Sequence, residues 1–570
     1  MDPVVLGVVA FSAAMVLIAL RMPIGFALGG TSFAATFVLY AWPAGQAFDA
    51  SRALRPTLSL VSNSSFTFIH SYELSLVPLY IALGAIAFRA RITVDIYDAF
   101  RVLLGRLPGG LAIASIFGCG GFSAITGSSV ACAATFSKIA VPEMLRYGYS
   151  PRLATGAVAT GGTLGSLIPP SVPFAIYGIF AEQSISKLFV AGIVPGLLSM
   201  LAYVAVVVWW AARRPQDAPP PAETFTPAQK LAAVLRTGPA VLLFLIVVVG
   251  IYGGIFTATE AAAVAVAVAL AIGVFGRRLS WEGFRAAMSE AAVQTATIFF
   301  VAIGAKMFAT FFALTGVTNI VVDWIGHQGF APWQILLAVV LLYLVMGMFL
   351  DPLGILLLTL PVLVPLAEGV RIDLIWFGVI LIKMLEIGLI TPPVGFNAFV
   401  VHSSLAGRVP LHDIFAGVWR FLVIEIVVVA ALLAFPALST WLPRTPDPTK
   451  APPRRCDRSR RPAGAAPGCG CAGPSTGRSA TRAAARSGPA DQRPRTRDAR
   501  GRRRTCRRPR RRSTTRWPGS SRGGGPGSSP GARGRVRAAP RRAAALYHRG
   551  RVDTDAPAPP GRREPWRPRR

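Results

Sequence analysis

"GSLIPPS" occupies residues 165–171, and "LITPPVG" occupies residues 389–395. Each sets a Pro-Pro pair inside an apolar stretch long enough to enter a bilayer. Proline carries no N–H and its ring clashes with the preceding turn, so each pair ends a helix where it stands. Breaking a helix in lipid strands N–H and C=O groups at several kcal/mol each, unless protein or a wet cavity covers them. Two such breaks therefore mark places where exposed backbone has a use.

The surrounding chain is a membrane protein by composition. Of 570 residues 53% are hydrophobic, yet the net charge is +33. The two properties belong to different regions. Residues 451–570 hold 34 arginines, no lysine and 6 acidic residues, whereas residues 1–450 hold 25 basic and 20 acidic residues. A span needs about 20 mostly apolar residues. Candidates are Val4–Leu20, Pro23–Tyr40, Leu74–Phe88, Leu188–Trp210, Ala240–Ile255, Ala261–Phe275, Ala291–Leu314, Trp333–Leu350 and Phe415–Phe435. The first follows Asp2 without a basic n-region, so it reads as a retained span. Cys119 and Cys132 read as small packing residues, with no metal-ligand spacing. The Arg/Pro/Gly-rich stretch 446–570 has no apolar periodicity and is expected to be disordered. It reads either as a polybasic arm or, given its GC-rich codons, as an out-of-frame extension. It enters no functional argument.

Basic residues gather in loops at Arg89–Arg106, Lys138–Arg152, Arg213–Arg236 and Arg277–Arg285. The positive-inside rule places these loops in the cytoplasm and the N-terminus outside. Leu111–Leu145 then leaves and re-enters a cytoplasmic loop, interrupted at "GFSAITGSSVA" (121–131). Trp333–Ala367 does the same from outside, interrupted at "MGMFLDPLG" (346–354). Shifting the chain on itself by 223 residues superposes Pro142 on Pro365, Gly165 on Gly388, Pro169-Pro170 on Pro392-Pro393 and Ser128 on Asp351. Each half is a hairpin followed by a broken helix, in opposite orientations. Inverted repeats with broken helices at mid-membrane are the pattern of secondary transporters. Freed carbonyls there can coordinate a hard cation, with Ser123, Thr126, Ser128 and Ser129 adding hydroxyl oxygens.

Six stretches carry a family resemblance: "FSAITGSSVACAAT" (122–135), "VPEMLRYGYSPRLATGAVATGGTLGSLIPPSVPFAIYGI" (141–179), "LFVAGIVPGLL" (188–198), "GIYGGIFTATEAAAVAV" (250–266), "GMFLDPLGILLLTLPVLVP" (347–365) and "GLITPPVGFNAFV" (388–400). Together they resemble the large membrane subunit of tripartite ATP-independent periplasmic (TRAP) transporters, the DctM-like permeases. The resemblance implies an all-α polytopic protein of the bacterial inner membrane working as an elevator. It implies sodium coupling without a cofactor or transition metal, and an organic-acid solute such as a C4-dicarboxylate. The implied partners are a small four-helix membrane subunit and a periplasmic solute-binding protein, with no nucleic acid.

By similarity, one sodium site takes Ser123, Thr126, Gly165, Ile168 and Pro170. The second takes Gly347, Gly388, Thr391 and Pro393. Ser128, Ser129, Asp351, Pro169, Pro392, Gly395 and Asn397 are candidates for substrate contact or hairpin-tip positions. The family often has an acidic residue at Cys132 and a proline at Ala258, where this chain departs. The expected organisation is scaffold at 1–109, hairpin and broken helix at 110–185, scaffold at 186–331, hairpin and broken helix at 332–405, and a last span at 406–445.

Simpler roles compete at several positions. Thr126, Ser128 and Ser129 can back-bond to helix carbonyls, and Asp351 and Glu260 can cap helices. Lys383 and Glu386 read as an intrahelical pair, with contact near substrate as the alternative. Lys306 sits mid-span, either snorkelling or facing substrate. His70 reads as a loop or interface residue, and Trp209-Trp210 as an interfacial anchor. A stand-alone sodium-coupled anion transporter is the competing function. An intramembrane enzyme is disfavoured, because the spans carry no His cluster and no paired carboxylates.

Overall fold

The computed structural model describes residues 2–219 and 225–444; the Arg-rich stretch beyond lies outside the described residues. Every regular element among them is helical.

Helix α1 (Pro3–Ala19) starts where the Asp2 carboxylate accepts from the Val4 amide at 2.9 Å, with Pro3 at the first position. Helix α2 (Ile24–Ala41) follows. Helix α3 (Ala50–Ile69) is amphipathic and was not among the expected spans. Asp49 caps it through the Ser51 hydroxyl and amide, which hold that carboxyl below its usual range. His70 ends α3: its Nδ1 lies 2.9 Å from the Phe66 carbonyl and its ring stacks on Phe66. A 3₁₀ turn then enters α4 (Leu76–Arg89), and α5 (Ile92–Leu104) is a second amphipathic helix.

The first interrupted segment is α6 (Gly110–Thr126) and α7 (Ser129–Arg146), joined by Gly127 and Ser128. Its interruption is far shorter than the 121–131 window, because polar residues do not stop α6. The Ser123 and Thr126 hydroxyls bond back to the Cys119 and Phe122 carbonyls at 2.6 and 3.2 Å. The first broken helix is α8 (Pro151–Gly162), a 3₁₀ turn (Thr163–Ser166) and α9 (Val172–Phe180).

Helix α10 (Ile185–Arg213) is long enough to span with length to spare. Near its end stand Trp209, which is exposed, and Trp210, which is not. Trp210 is buried beneath Arg420 at 3.8 Å, with its indole N–H on Asp217 at 2.9 Å. Only Trp209 keeps the exposed position expected of an anchor. The short α11 (Pro227–Arg236) and α12 (Gly238–Tyr252) follow. Helix α13 (Ala258–Phe275) opens with a capping box: Glu260 accepts from the Thr257 amide at 2.9 Å, and Thr257 from the Glu260 amide at 3.3 Å. Helix α14 (Trp281–Thr315) crosses α2 where Gly25 and Gly29 meet Gly304. Small residues allow that backbone approach.

After α15 (Val317–Gln328) comes the second interrupted segment, α16 (Pro332–Gly347) and α17 (Pro352–Gly369). It is followed by the second broken helix, α18 (Leu374–Ile390) and α19 (Phe396–Ser404). Helices α20 (Leu411–Ala434) and α21 (Ala437–Arg444) complete the described chain.

Burial separates two kinds of helix. Every residue of α8 from Leu153 onward and of α18 from Trp376 onward is buried. By contrast, α1, α10 and α16 expose apolar side chains such as Val5, Leu201 and Leu341. The arms α8 and α18 that lead into the breaks are therefore wrapped in protein, as freed backbone groups require, while α19 exposes Phe396 and Phe399, and helices such as α1, α10 and α16 carry apolar outer surface. Among the described residues, seven helices are long and apolar enough to cross a membrane, or eight if the bent α11–α12 pair counts as one.

Candidate functional site

The first break lies directly against the first tip. Gly127 takes φ 62°, and a Cβ there would collide with the Pro170 carbonyl. The Val172 amide donates to the Gly127 carbonyl at 3.4 Å. A Cβ on Gly165 would stand 2.6 Å from the Ser129 nitrogen, so break and tip touch through backbone. Ser171 caps α9, accepting from the Phe174 amide at 3.3 Å and donating to the Ser166 carbonyl at 2.5 Å. Ser128 caps α7, accepting from Ala131 at 3.4 Å. Pro169 and Pro170 are buried, Ile168 is half-buried, and the Pro169-Pro170 bond is cis.

The second pair repeats this contact with different chemistry. Gly347 and Gly388 meet backbone to backbone: a Cβ on Gly388 would lie 2.6 Å from the Gly347 Cα. Asp351, the counterpart of Ser128 under the 223-residue shift, is likewise the cap of its helix, accepting from Gly354 at 3.1 Å. Thr391 ends α18 with its hydroxyl on the Ile387 carbonyl at 2.6 Å. Gly395 has φ 56° and opens α19. Pro392 is half-buried and Pro393 exposed, so the second break is less covered than the first. The Pro392-Pro393 bond is also cis. Asn397 is fully buried. Its amide nitrogen donates to the Ala159 carbonyl at 3.4 Å, while its Oδ1 has no hydrogen-bond partner among the described residues.

This donor set suits a hard cation. Ser123, Thr126 and Thr391 each spend the hydroxyl proton on a helix carbonyl, which leaves oxygen lone pairs free. The Asn397 Oδ1 is a further buried oxygen without a donor. Residues 11–438 match the family described as tripartite ATP-independent periplasmic transporter, DctM component.

The chain belongs to that family. The permease is 34% identical to the C4-dicarboxylate TRAP transporter large permease DctM of Pseudomonas aeruginosa, over 65% of this chain and 86% of that protein. It is 32% identical to the sialic acid TRAP transporter large permease SiaM of Vibrio cholerae, over 74% and 95% respectively. An isethionate TRAP transporter permease, DctMQ of Oleidesulfovibrio alaskensis, is 33% identical over 68% of this chain and 60% of its own length. The fold is similar to that of the YdaH transporter of Alcanivorax borkumensis (TM-score 0.52, 14% identity), over 78% of this chain and 100% of that one. The permease is thus a transport protein rather than an enzyme, and a multi-pass protein of the bacterial inner membrane.

The buried charges of the permease are arranged differently from the sequence expectation. Lys383 and Glu386 do not pair with each other. The Lys383 ammonium lies 2.5 Å from the Glu425 carboxylate on α20 and donates to the Ser199 hydroxyl on α10 at 2.8 Å. Glu386 accepts from the Ser129 hydroxyl at 2.7 Å, and Ser129 in turn meets Ser166 at 2.8 Å. The physical reason is that α18 is buried on every side. Long polar side chains spaced three apart then find separate partners on the neighbouring helices. Sequence reasoning overlooked Glu425, although a lone carboxylate inside "FLVIEIVVV" (421–429) was a legible signal.

Two cavities open among the helices, one of them onto the first tip. One, of about 860 Å³, lies between α3, α9, α13 and α14, and Lys306, Glu73, Glu182 and Thr259 line it. The other, of about 180 Å³, runs between α4, α7 and α14, and it reaches Thr126 and Ser128 past Lys138 and Glu290. Lys306 therefore faces a cavity, away from both breaks.

Proposed function

We propose that this large permease carries out sodium-coupled uptake of an organic anion, delivered by a periplasmic solute-binding protein and passed on with the help of a small membrane subunit. The observation that carries the reading is the doubled contact of break on tip, Gly165 on Ser128-Ser129 and Gly388 on Gly347. At the first contact the break and the hydroxyls of Ser123 and Thr126 lie in a buried setting; at the second, Thr391 supplies the hydroxyl and the break is less covered. Sodium, a hard cation, is matched to such oxygen sets. The second observation is the crevice that opens to the first tip beside Lys138 of α7 and Glu290 of α14, helices that lead to basic loops the positive-inside rule places in the cytoplasm. The two helix–tip–helix units and their broken helices move as one body against the remaining helices. That movement exposes the tips first to one side and then to the other.

Dicarboxylate, sialic acid and isethionate, the solutes in the relatives' names, share an anionic head and differ in the rest. The proposed solute is accordingly a small organic acid. Proteoliposomes holding both membrane subunits test the reading. Solute accumulation is expected only with an inward sodium gradient and the binding protein present. Accumulation indifferent to both would refute it, and uptake that needs sodium alone would favour a stand-alone carrier.

A further inference from the structure

The protein's most buried region holds two carboxyls and one ammonium. Lys383, Glu386 and Glu425 are each 0–1% exposed. Lys383 and Glu425 neutralise one another at 2.5 Å. Glu386 forms no ion pair among the described residues; its hydrogen-bond donor is the neutral hydroxyl of Ser129, at 2.7 Å. A buried charge left without its opposite is heavily penalised. Glu386 is a buried carboxyl for which the described residues supply no cation.

The position of that carboxyl is informative. Ser129 is the first residue of α7, immediately after the Gly127-Ser128 tip. Ser166 closes the 3₁₀ turn that leads into Leu167–Pro170. Glu386 comes from the other broken helix, two residues before Gly388, which packs against the second tip. A single carboxylate from the second half is thus hydrogen-bonded to the tip of the first half and, through Ser129, to its break.

We infer that Glu386 is the positioning residue that sets cation affinity at the first tip and break, by supplying the fixed negative charge that the oxygens there lack. It acts through Ser129 and Ser166 and through its field, and the ion's own ligands are the hydroxyls and carbonyls of the first half. This rests on the sodium-coupled reading above. The bound cation supplies the counter-charge; without it the carboxylate is stranded. Because Glu386 belongs to α18, occupancy of the first site is also sensed by the helix that ends at the second.

The test is sodium binding by the purified full-length chain, read as the sodium concentration that gives half of the thermal stabilisation over a potassium background, alongside sodium-dependent uptake in proteoliposomes. Glu386→Gln keeps an oxygen to accept from Ser129 and removes only the charge. Its sodium midpoint is expected to rise about tenfold or more, the change that about 1.4 kcal/mol produces. Its melting temperature in potassium alone is expected to be unchanged or higher, since the stranded charge is gone. Ser129→Ala keeps the charge and is expected to shift the midpoint less. Should Glu386→Gln fail to fold, Glu386→Asp, with its charge drawn back by one methylene, is expected to raise the midpoint severalfold. A wild-type midpoint in Glu386→Gln, or in Glu386→Asp if only that variant folds, overturns the inference. It would mean that the carboxylate serves as a hydrogen-bond acceptor alone or is neutralised by a proton. Wild-type protein that is indifferent to sodium refutes the sodium-coupled reading itself, and the inference with it.

Discussion

Gly165 and Gly388 owe their places to what a side chain would strike. A methyl on Gly165 would lie 2.6 Å from the Ser129 nitrogen and 2.7 Å from the Ser128 carbonyl carbon, both backbone atoms that cannot rotate away. Gly165→Ala is therefore expected to cost about 1–3 kcal/mol by overpacking and to separate break from tip. Its melting temperature and sodium-dependent uptake are both expected to fall. Gly30 is the control: a methyl there meets nothing within 4 Å. Gly30→Ala is expected to leave uptake intact and to add about 0.5–1 kcal/mol of helix stability. The Lys383–Glu425 pair allows a second test at this scale. Glu425→Gln leaves a buried ammonium without its counter-charge, and losing one member of such a pair costs about 3–5 kcal/mol. Lys383→Met combined with Glu425→Gln is expected to recover most of the loss, and a double-mutant cycle on melting temperature measures it.

Among the elements, the two broken helices matter most. Without an N–H, Pro169 and Pro170 cannot pair the carbonyls one turn before them. Replacing both by alanine restores two donors. The expected result is a folded protein whose α8 and α9 run closer to one helix and whose sodium-dependent uptake is lost; normal sodium affinity would show that the break serves packing alone. The second pair, Pro392-Pro393, is less covered, so its replacement is expected to disturb stability less while still abolishing coupling. These breaks, both tips and the caps at Asp351 and Glu260 were legible in the sequence, because each follows from a residue's own donors and acceptors, whereas Ser128 was read as back-bonding to a helix carbonyl and instead caps α7. Helices α3 and α5 were not, since their apolar residues are spread along one face and never form a run that a span search detects. Polar residues in α6 misled in the other direction: their hydroxyls bond within the helix and let it continue to Thr126.

For the whole molecule, access is the question. The first tip is reached through the crevice beside Lys138 and Glu290, and Lys306 faces the larger cavity on the other side of the helices. With the tail cysteines changed to serine, Cys119 and Cys132 remain and are both buried. A membrane-impermeant thiol reagent is then expected to label Ser128→Cys from the cytoplasmic side and Lys306→Cys from the outside, when neither solute nor sodium is present. Labelling of Ser128→Cys from outside under those conditions would contradict the access seen here.

The sequence by itself determined where the apolar spans run, where two of the helices break and where Asp351 and Glu260 cap, because apolar length, a missing N–H and a capping oxygen are local properties. It also carried the family, through motifs spread over most of the described chain. The tertiary structure alone decided which charges meet. Lys383 and Glu386 lie three residues apart, yet one is neutralised by Glu425, 42 residues downstream, and the other reaches Ser129, 257 residues upstream. Such pairings depend on which helices pack around α18. A buried side chain takes the nearest complementary group in space, and no local pattern in the chain records which group that is.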